Sequence, residues 1–331
     1  MRIFVTGGAG FIGSNFVRLA LNNNHDQIVV YDKLTYAANP TEDKQFSKNL
    51  LDVQHNKNFS FVNGDVCDKH KLLSALSGID AVVHFAAESH VDRSLENPDV
   101  FFYNNVEGTK TLLECINKIN RDMRVLHIST DEVYGSIRHG YARETDIFNP
   151  TSPYAQSKAE ADNLALTCGE NIVVTRSSNN FGPYQFPEKF ISLSIINLIL
   201  GEKIPIYGTG MNVRDWIYVE DNCDAIYYVL QHGKAGEAYN IGGGNEKTNI
   251  AIAQELIKLC DRDESAMKFV NDRPNHDLRY ALSSDKITAL GWMPKHSFNG
   301  ALQKTVDWYK SSVSWWEHLK NQRYTSINTS K

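Results

Sequence analysis

Short runs of β-branched and aromatic residues alternate with longer amphipathic stretches through the first half of the chain. Residues 3–5, 28–31, 59–62, 81–85, 125–129 and 172–175 are predicted strands. Most are continuous apolar runs rather than alternating ones, the pattern of strands covered on both faces. Phe102, Val106, Thr109, Leu113 and Ile116 recur at spacings of four and three, which predicts one helix with a single packing face. Alternation of this kind builds a parallel sheet with right-handed crossovers. After Arg176 the texture changes. Residues 177–187 carry Gly182, Pro183 and Pro187 and read as loop, followed by a helix over 189–200, residues 201–207 and a glycine-rich turn at 208–210. A further sheet strand is predicted at 238–241, helices near 250–260 and 301–309, and a polar loop at 272–277. The expected fold is α/β: a Rossmann-type doubly wound parallel sheet with a second, smaller mixed α/β substrate domain. Residues 1–177 and about 211–243 would form the first part, about 178–210 and 244–318 the second, with 319–331 a polar, mobile tail.

The first glycine cluster gives this fold a chemistry. Gly7, Gly10 and Gly13 follow the first strand and open a helix. Gly7 permits a tight turn, Gly10 lets backbone N–H groups approach a pyrophosphate, and Gly13 allows close helix–strand packing. Asp32, at the end of the second strand, suits the ribose hydroxyls of NAD and repels the extra phosphate of NADP, although Lys33 beside it could tolerate that phosphate. Tyr154 and Lys158, spaced by four, share a helix face, and a nearby ammonium is expected to lower the phenol pKa from about 10.

Composition narrows the class. The chain has 331 residues, a net charge of -5 and 42% hydrophobic residues, enough for a sizeable core. Neither long basic runs nor an apolar stretch of membrane-spanning length occurs, so no nucleic acid and no membrane are expected as partners. Cys67, Cys115, Cys168, Cys223 and Cys260 are dispersed, which argues for reduced thiols, no metal site and a cytoplasmic location.

The glycine loop with Tyr154 and Lys158 downstream resembles the short-chain dehydrogenase/reductase superfamily, in its extended nucleotide-sugar branch. In that family a Ser or Thr at the end of the fifth strand assists, here Thr130. Asp131 and Glu132 follow directly, two carboxyls at the ligand-binding edge of a parallel sheet. One can remain protonated as an acid while the other serves as base. This segment resembles dTDP-glucose 4,6-dehydratases, as do residues 86–94, 178–184, 187–189, 212–216, 239–243, 245–249 and 272–277.

The resemblance implies a homodimer, formed through helices near 99–119 and 153–167, that dehydrates dTDP-glucose to a 4-keto-6-deoxy sugar using NAD. Its catalytic residues would be Thr130, Asp131, Glu132, Tyr154 and Lys158. With the glycines, the NAD site would comprise Phe11, Ile12, Asp32, Lys33, Leu34, Thr35, Asp65, Val66, Phe85, Ala86, Ala87, Glu88, Ser89, Asn104, Tyr154, Lys158 and Asn180. The sugar nucleotide would meet Ser89, Thr130, Asn179, Lys189, Phe190, Tyr207, Arg214, Asn249, Arg273 and His276. Lys189, Arg214 and Arg273 supply cations for a diphosphate. Asn104 and Phe190 stand where the family has Thr and Leu, and residues 164–171 form a shorter stretch than usual. A UDP-sugar dehydratase, a nucleotide-sugar 4-epimerase and a catalytically silent NAD-binding scaffold remain the alternatives; the epimerase has no need of Asp131 and Glu132.

Overall fold

The computed structural model describes residues 1–23, 26–272 and 277–327, with side chains as far as residue 320. The chain opens with β1 (Arg2–Thr6), α1 (Phe11–Asn22) and β2 (Gln27–Asp32), then reaches β3 (Phe59–Asn63), α2 (Lys69–Ala75) and β4 (Ala81–His84). Three helical pieces, α3 (Val91–Glu96), α4 (Pro98–Phe102) and α5 (Gly108–Ile119), precede β5 (Arg124–Thr130), α6 (Pro153–Thr167) and β6 (Ile172–Ser177). The second half adds β7 (Asn179–Phe181), α7 (Phe190–Ile199), β8 (Ile204–Tyr207), β9 (Val213–Tyr218), α8 (Val219–His232) and β10 (Ala238–Ile241). It ends with β11 (Glu246–Thr248), α9 (Asn249–Leu259), β12 (Met267–Val270), α10 (Asp285–Leu290), α11 (Phe298–Ser311) and α12 (Val313–Ile327).

Seven strands form one sheet in the order β10-β6-β5-β4-β1-β2-β3, and every neighbouring pair is parallel. The order reverses between β1 and β4, and the crevice at the strand ends beside such a reversal is where these sheets take ligands. Successive residues on a strand face opposite layers. Ile3 and Val5 join one core cluster and Phe4 the other; Val30 and Val29, and Val83 and Val82, divide in the same way. Both faces are therefore apolar, which is why the strands read as unbroken hydrophobic runs. Each fully buried side chain of this kind contributes about 1.5–3 kcal/mol of transfer free energy.

The rest of the chain builds a smaller unit. β7, β9 and β11 make a three-stranded sheet, β8 pairs with β12, and α7, α9 and α11 pack together beside them. One core cluster runs from Ile3 and Val5 through to Trp216, Ile252 and Trp316, so the smaller unit shares the hydrophobic core of the large sheet. β9 belongs to this small sheet, although the expected division at about 211 falls just ahead of it.

Three local expectations change. The stretch 177–187 is not all loop: Asn179–Phe181 pairs with Trp216–Tyr218, its strand character supplied by a distant partner. The helix read across 102–116 is interrupted by a π-helical turn, Tyr103–Glu107. There Asn105 bonds to Glu88 and Ser157, and Asn104 is turned toward Lys33. Finally, α12 continues into the stretch expected to be a mobile tail. Trp316 and Leu319 are buried on it, just before and at the start of that stretch.

Candidate active site

A cavity of about 230 Å3 opens beside β1, β2 and β4. Its walls include Gly7, Gly10, Phe11, Ile12, Gly13, Asp32, Lys33, Thr35, Val66, Phe85, Ala86, Ala87, Glu88, Ser89, Asn104, Tyr154 and Lys158, as the sequence led us to expect. Gly7 has φ +67°, and a Cβ there would meet Ala86 N at 2.5 Å. A Cβ on Gly13 would meet Gly7 O at 2.3 Å. Only glycine lets α1 sit this close to β1. Gly10 caps α1 without a side-chain bond, and the first turn holds no acidic residue. The helix therefore offers unfilled N–H groups and partial positive charge to an anion. This cradle fits the diphosphate of a dinucleotide. Gly13→Ala is expected to keep its circular-dichroism spectrum yet be purified with little bound dinucleotide, measured by what is released on denaturation.

Asp32 accepts from Ala9 N at 3.0 Å and Leu34 N at 2.8 Å, which leaves acceptor capacity on both oxygens. Burial pushes its carboxyl pKa up, opposed by those two N–H groups. Lys33 lies 3.5 Å from Asp65 and also bonds to Asn104, so neighbouring groups already engage its ammonium. Three expected cofactor residues stand elsewhere. Leu34 and Asp65 do not line this cavity; Leu34 N donates to Asp32, and the Asp65 carboxylate accepts from Cys67 N at 2.9 Å. Asn180 lines the neighbouring cavity instead, carried there by β7.

That second cavity, about 360 Å3, shares Phe11, Ile12, Ser89, Ile128, Ser129, Tyr154 and Lys189 with the first. Together they have the size range of ligand sites. Thr130, Asp131, Glu132 and Tyr154 line it along with Asn179, Asn180, Lys189, Phe190, Tyr207, Arg214 and Asn249. Arg273 and His276 lie outside the described residues.

The reacting groups come from two elements. Ser152 caps α6 by accepting from Ala155 N at 3.1 Å, and Pro153 occupies the first turn. This fixes Tyr154 and, one turn on, Lys158. Lys158 Nζ donates to Ile128 O at 2.7 Å, and burial pushes its pKa down to about 8 against the pull of Asp162. The expected lowering of the Tyr154 phenol is not found. Burial pushes its pKa up, Glu132 and Asp131 add to this, and a Thr130 hydrogen bond opposes it. The lysine acts on the Ile128 carbonyl, whereas two carboxyls face the phenol.

Thr130 ends β5 and starts the short helical turn Asp131–Tyr134. Its hydroxyl donates to Asp131 Oδ1 at 3.1 Å and accepts from Glu132 N at 3.3 Å. Asp131 is buried, and among the described residues its Oδ2 has no hydrogen-bond partner. Burial first, then the charge of Glu132, pushes its pKa well above the usual carboxylate range. Both causes favour its neutral form. Glu132 is only partly buried on the same wall. The two adjacent carboxyls thus stand in different environments, one buried and one partly exposed.

Other lining residues were not anticipated. Glu188 borders both cavities, accepts from Tyr36 OH at 3.0 Å and lies 3.3 Å from Arg93. It lies inside the matched segment 187–189, yet nothing in the sequence indicated which way it turns. Tyr280 stacks on Arg214 at 4.3 Å, and Arg214 Nη2 donates to Asp277 O at 3.0 Å. No spacing signal connects residues 214 and 280.

Residues 4–305 match the family model described as GDP-mannose 4,6 dehydratase. A dTDP-glucose 4,6-dehydratase of Streptomyces niveus is 46% identical over 97% of this chain and 96% of its own length. The crystal structure of DesIV, a dTDP-glucose 4,6-dehydratase from Streptomyces venezuelae with NAD and TYD bound, is 46% identical. It superposes with a TM-score of 0.91 over 96% of this chain and 100% of that one. A Bacillus cereus UDP-glucuronic acid 4-epimerase shares the fold (TM-score 0.87 over 94% of this chain and 99% of that one) at 28% identity. With the carboxyl pair beside the Tyr–Lys helix, these likenesses establish that the chain belongs to the dTDP-glucose 4,6-dehydratase family.

Proposed function

We propose that the protein dehydrates dTDP-glucose to dTDP-4-keto-6-deoxyglucose by internal redox with tightly held NAD. The observation that carries this reading is the placement of Thr130, Asp131, Glu132 and Tyr154 on one cavity wall adjoining the dinucleotide cradle. Tyr154, with Thr130 bonded to it, takes the proton of the sugar 4-hydroxyl. NAD, when bound, would supply a hydride acceptor for C4 and later a donor for C6. Oxidation at C4 makes the C5–H acidic, and Glu132 removes that proton. Asp131 protonates the departing C6 hydroxyl, so water leaves. Glu132 then returns a proton to C5, C4 stays a ketone, and the proton taken by Tyr154 leaves to solvent while Asp131 regains one, so every group ends as it began. Such groups typically contribute about 10²–10⁴-fold each.

Lys189 and Arg214 line the wall where the diphosphate would lie, and we assign Asn179, Phe190, Tyr207 and Asn249 to the rest of the nucleotide. The residue roles, the division into a cofactor part and a sugar part, and a homodimer form part of the proposal. Leu95, Val100, Tyr103 and Ile119, exposed on or beside α3 to α5, support pairing through that helical face. The five unpaired cysteines support a cytoplasmic location. Among the described residues no helix is long and apolar enough to cross a membrane.

Incubation with dTDP-glucose in D2O, followed by mass spectrometry and NMR, tests the reading. Loss of one water with deuterium at C5 and no net reduced cofactor is the expected result. Recovery of an epimerised sugar with its water retained would replace it with the epimerase. Turnover of UDP-glucose but not dTDP-glucose would replace the base assignment, and failure on both would favour a silent scaffold.

A further inference from the structure

Tyr154, Lys158 and Asp162 recur at spacings of four and share one face of α6. Asp162 is fully buried and takes two parallel hydrogen bonds from Arg176, Nε to Oδ2 and Nη2 to Oδ1, both 2.9 Å. Arg176 stands on β6 opposite Ser129 of β5. Its third nitrogen, Nη1, donates to the Tyr134 hydroxyl at 2.7 Å and to Glu144 O at 3.0 Å. Tyr134 closes the turn that carries Asp131 and Glu132. Its hydroxyl donates onward to Asn240 Oδ1 on β10 at 2.9 Å. The chain of bonds therefore runs from the helix of the phenol to the turn of the carboxyls.

Asp162, Arg176 and Tyr134 line neither cavity and touch no reacting atom. Buried ion pairs are weak devices for stability alone, since desolvation offsets much of their attraction. What a guanidinium fork adds is direction: its planar donors fix the angle and distance of each acceptor. We infer that Asp162, Arg176 and Tyr134 are positioning residues that hold the Asp131–Glu132 turn in register with the Tyr154–Lys158 face of α6. The inference rests on the dehydratase reading above. In that reading three groups must reach C4, C5 and C6 of one sugar, and a misplacement of about 1 Å can cost about 100-fold.

Tyr134→Phe removes the link while keeping the ring, and Arg176→Lys keeps the charge without the fork. Both are measured as purified holoenzyme with dTDP-glucose. The expected result is a kcat lowered about tenfold or more with KM and bound NAD little changed. Reduced cofactor should accumulate at 340 nm during turnover, because the C5 and C6 proton transfers slow more than the C4 step. Wild-type kcat in both variants, or a kcat loss with no rise at 340 nm, overturns the inference even if the melting temperature falls. A wild-type protein that dehydrates no sugar nucleotide overturns the dehydratase reading, and this inference with it.

Discussion

Glu132→Gln should fold, keep its bound NAD and lose turnover by about 10²–10⁴-fold, the contribution of one positioned proton-transfer group. Glutamine preserves the shape of the side chain and its place beside Thr130 but cannot accept the C5 proton. The loss should fall on one step. Glu132 is among the groups that push the Tyr154 phenol up, so removing its charge lowers that pKa and leaves the C4 proton transfer intact or easier. Mixing the variant with dTDP-glucose should therefore produce a rise at 340 nm that does not decay, with neither water loss nor deuterium at C5. Near-normal product formation would remove Glu132 from the base role.

Asp131→Asn should separate activity from stability. The amide cannot give up a proton as an acid, so water elimination falls by a comparable about 10²–10⁴-fold. Stability moves the other way. The Asp131 pKa is raised well above its ordinary 3.8 by burial and by Glu132. Below the ordinary value both folded and unfolded chains hold the proton and no penalty exists. As pH rises past it, the unfolded chain releases its proton while the folded one keeps it, so this group makes stability fall until the folded pKa is passed. Asparagine is neutral throughout and escapes that loss. Thermal melts should show the variant gaining on the wild type, with a larger gain at pH 8 than at pH 5. An equal difference at both pH values would mean that Asp131 is not held protonated in the folded protein.

Both predictions concern residues legible in the sequence, and so was much of their setting. Unbroken apolar strands announced a sheet covered on both faces. The glycines at 7, 10 and 13 stand where backbone must pass within van der Waals contact, a constraint that only residue type can meet. Tyr154 and Lys158 share a face because helical spacing is local, and Thr130, Asp131 and Glu132 are consecutive. These features depend on neighbours in the chain, so the chain displays them.

Tertiary structure decided what depends on distant partners. Asn179–Phe181 is a strand only because β9 lies beside it, and that places Asn180 on the wall of the second cavity rather than the first. The Tyr154 phenol was expected to be lowered by its lysine. Burial and two carboxyls raise it instead, because electrostatics follows the shape of the folded cavity rather than helical spacing. The link from Asp162 through Arg176 to Tyr134 joins a helix, a strand and a turn. The sequence by itself determined the sheet, the glycine turn and the candidate reacting groups, through local geometry and residue chemistry. Only the folded chain decided which carboxyl is buried and which hydrogen bonds link the two elements, because burial and long-range hydrogen bonds exist only after packing.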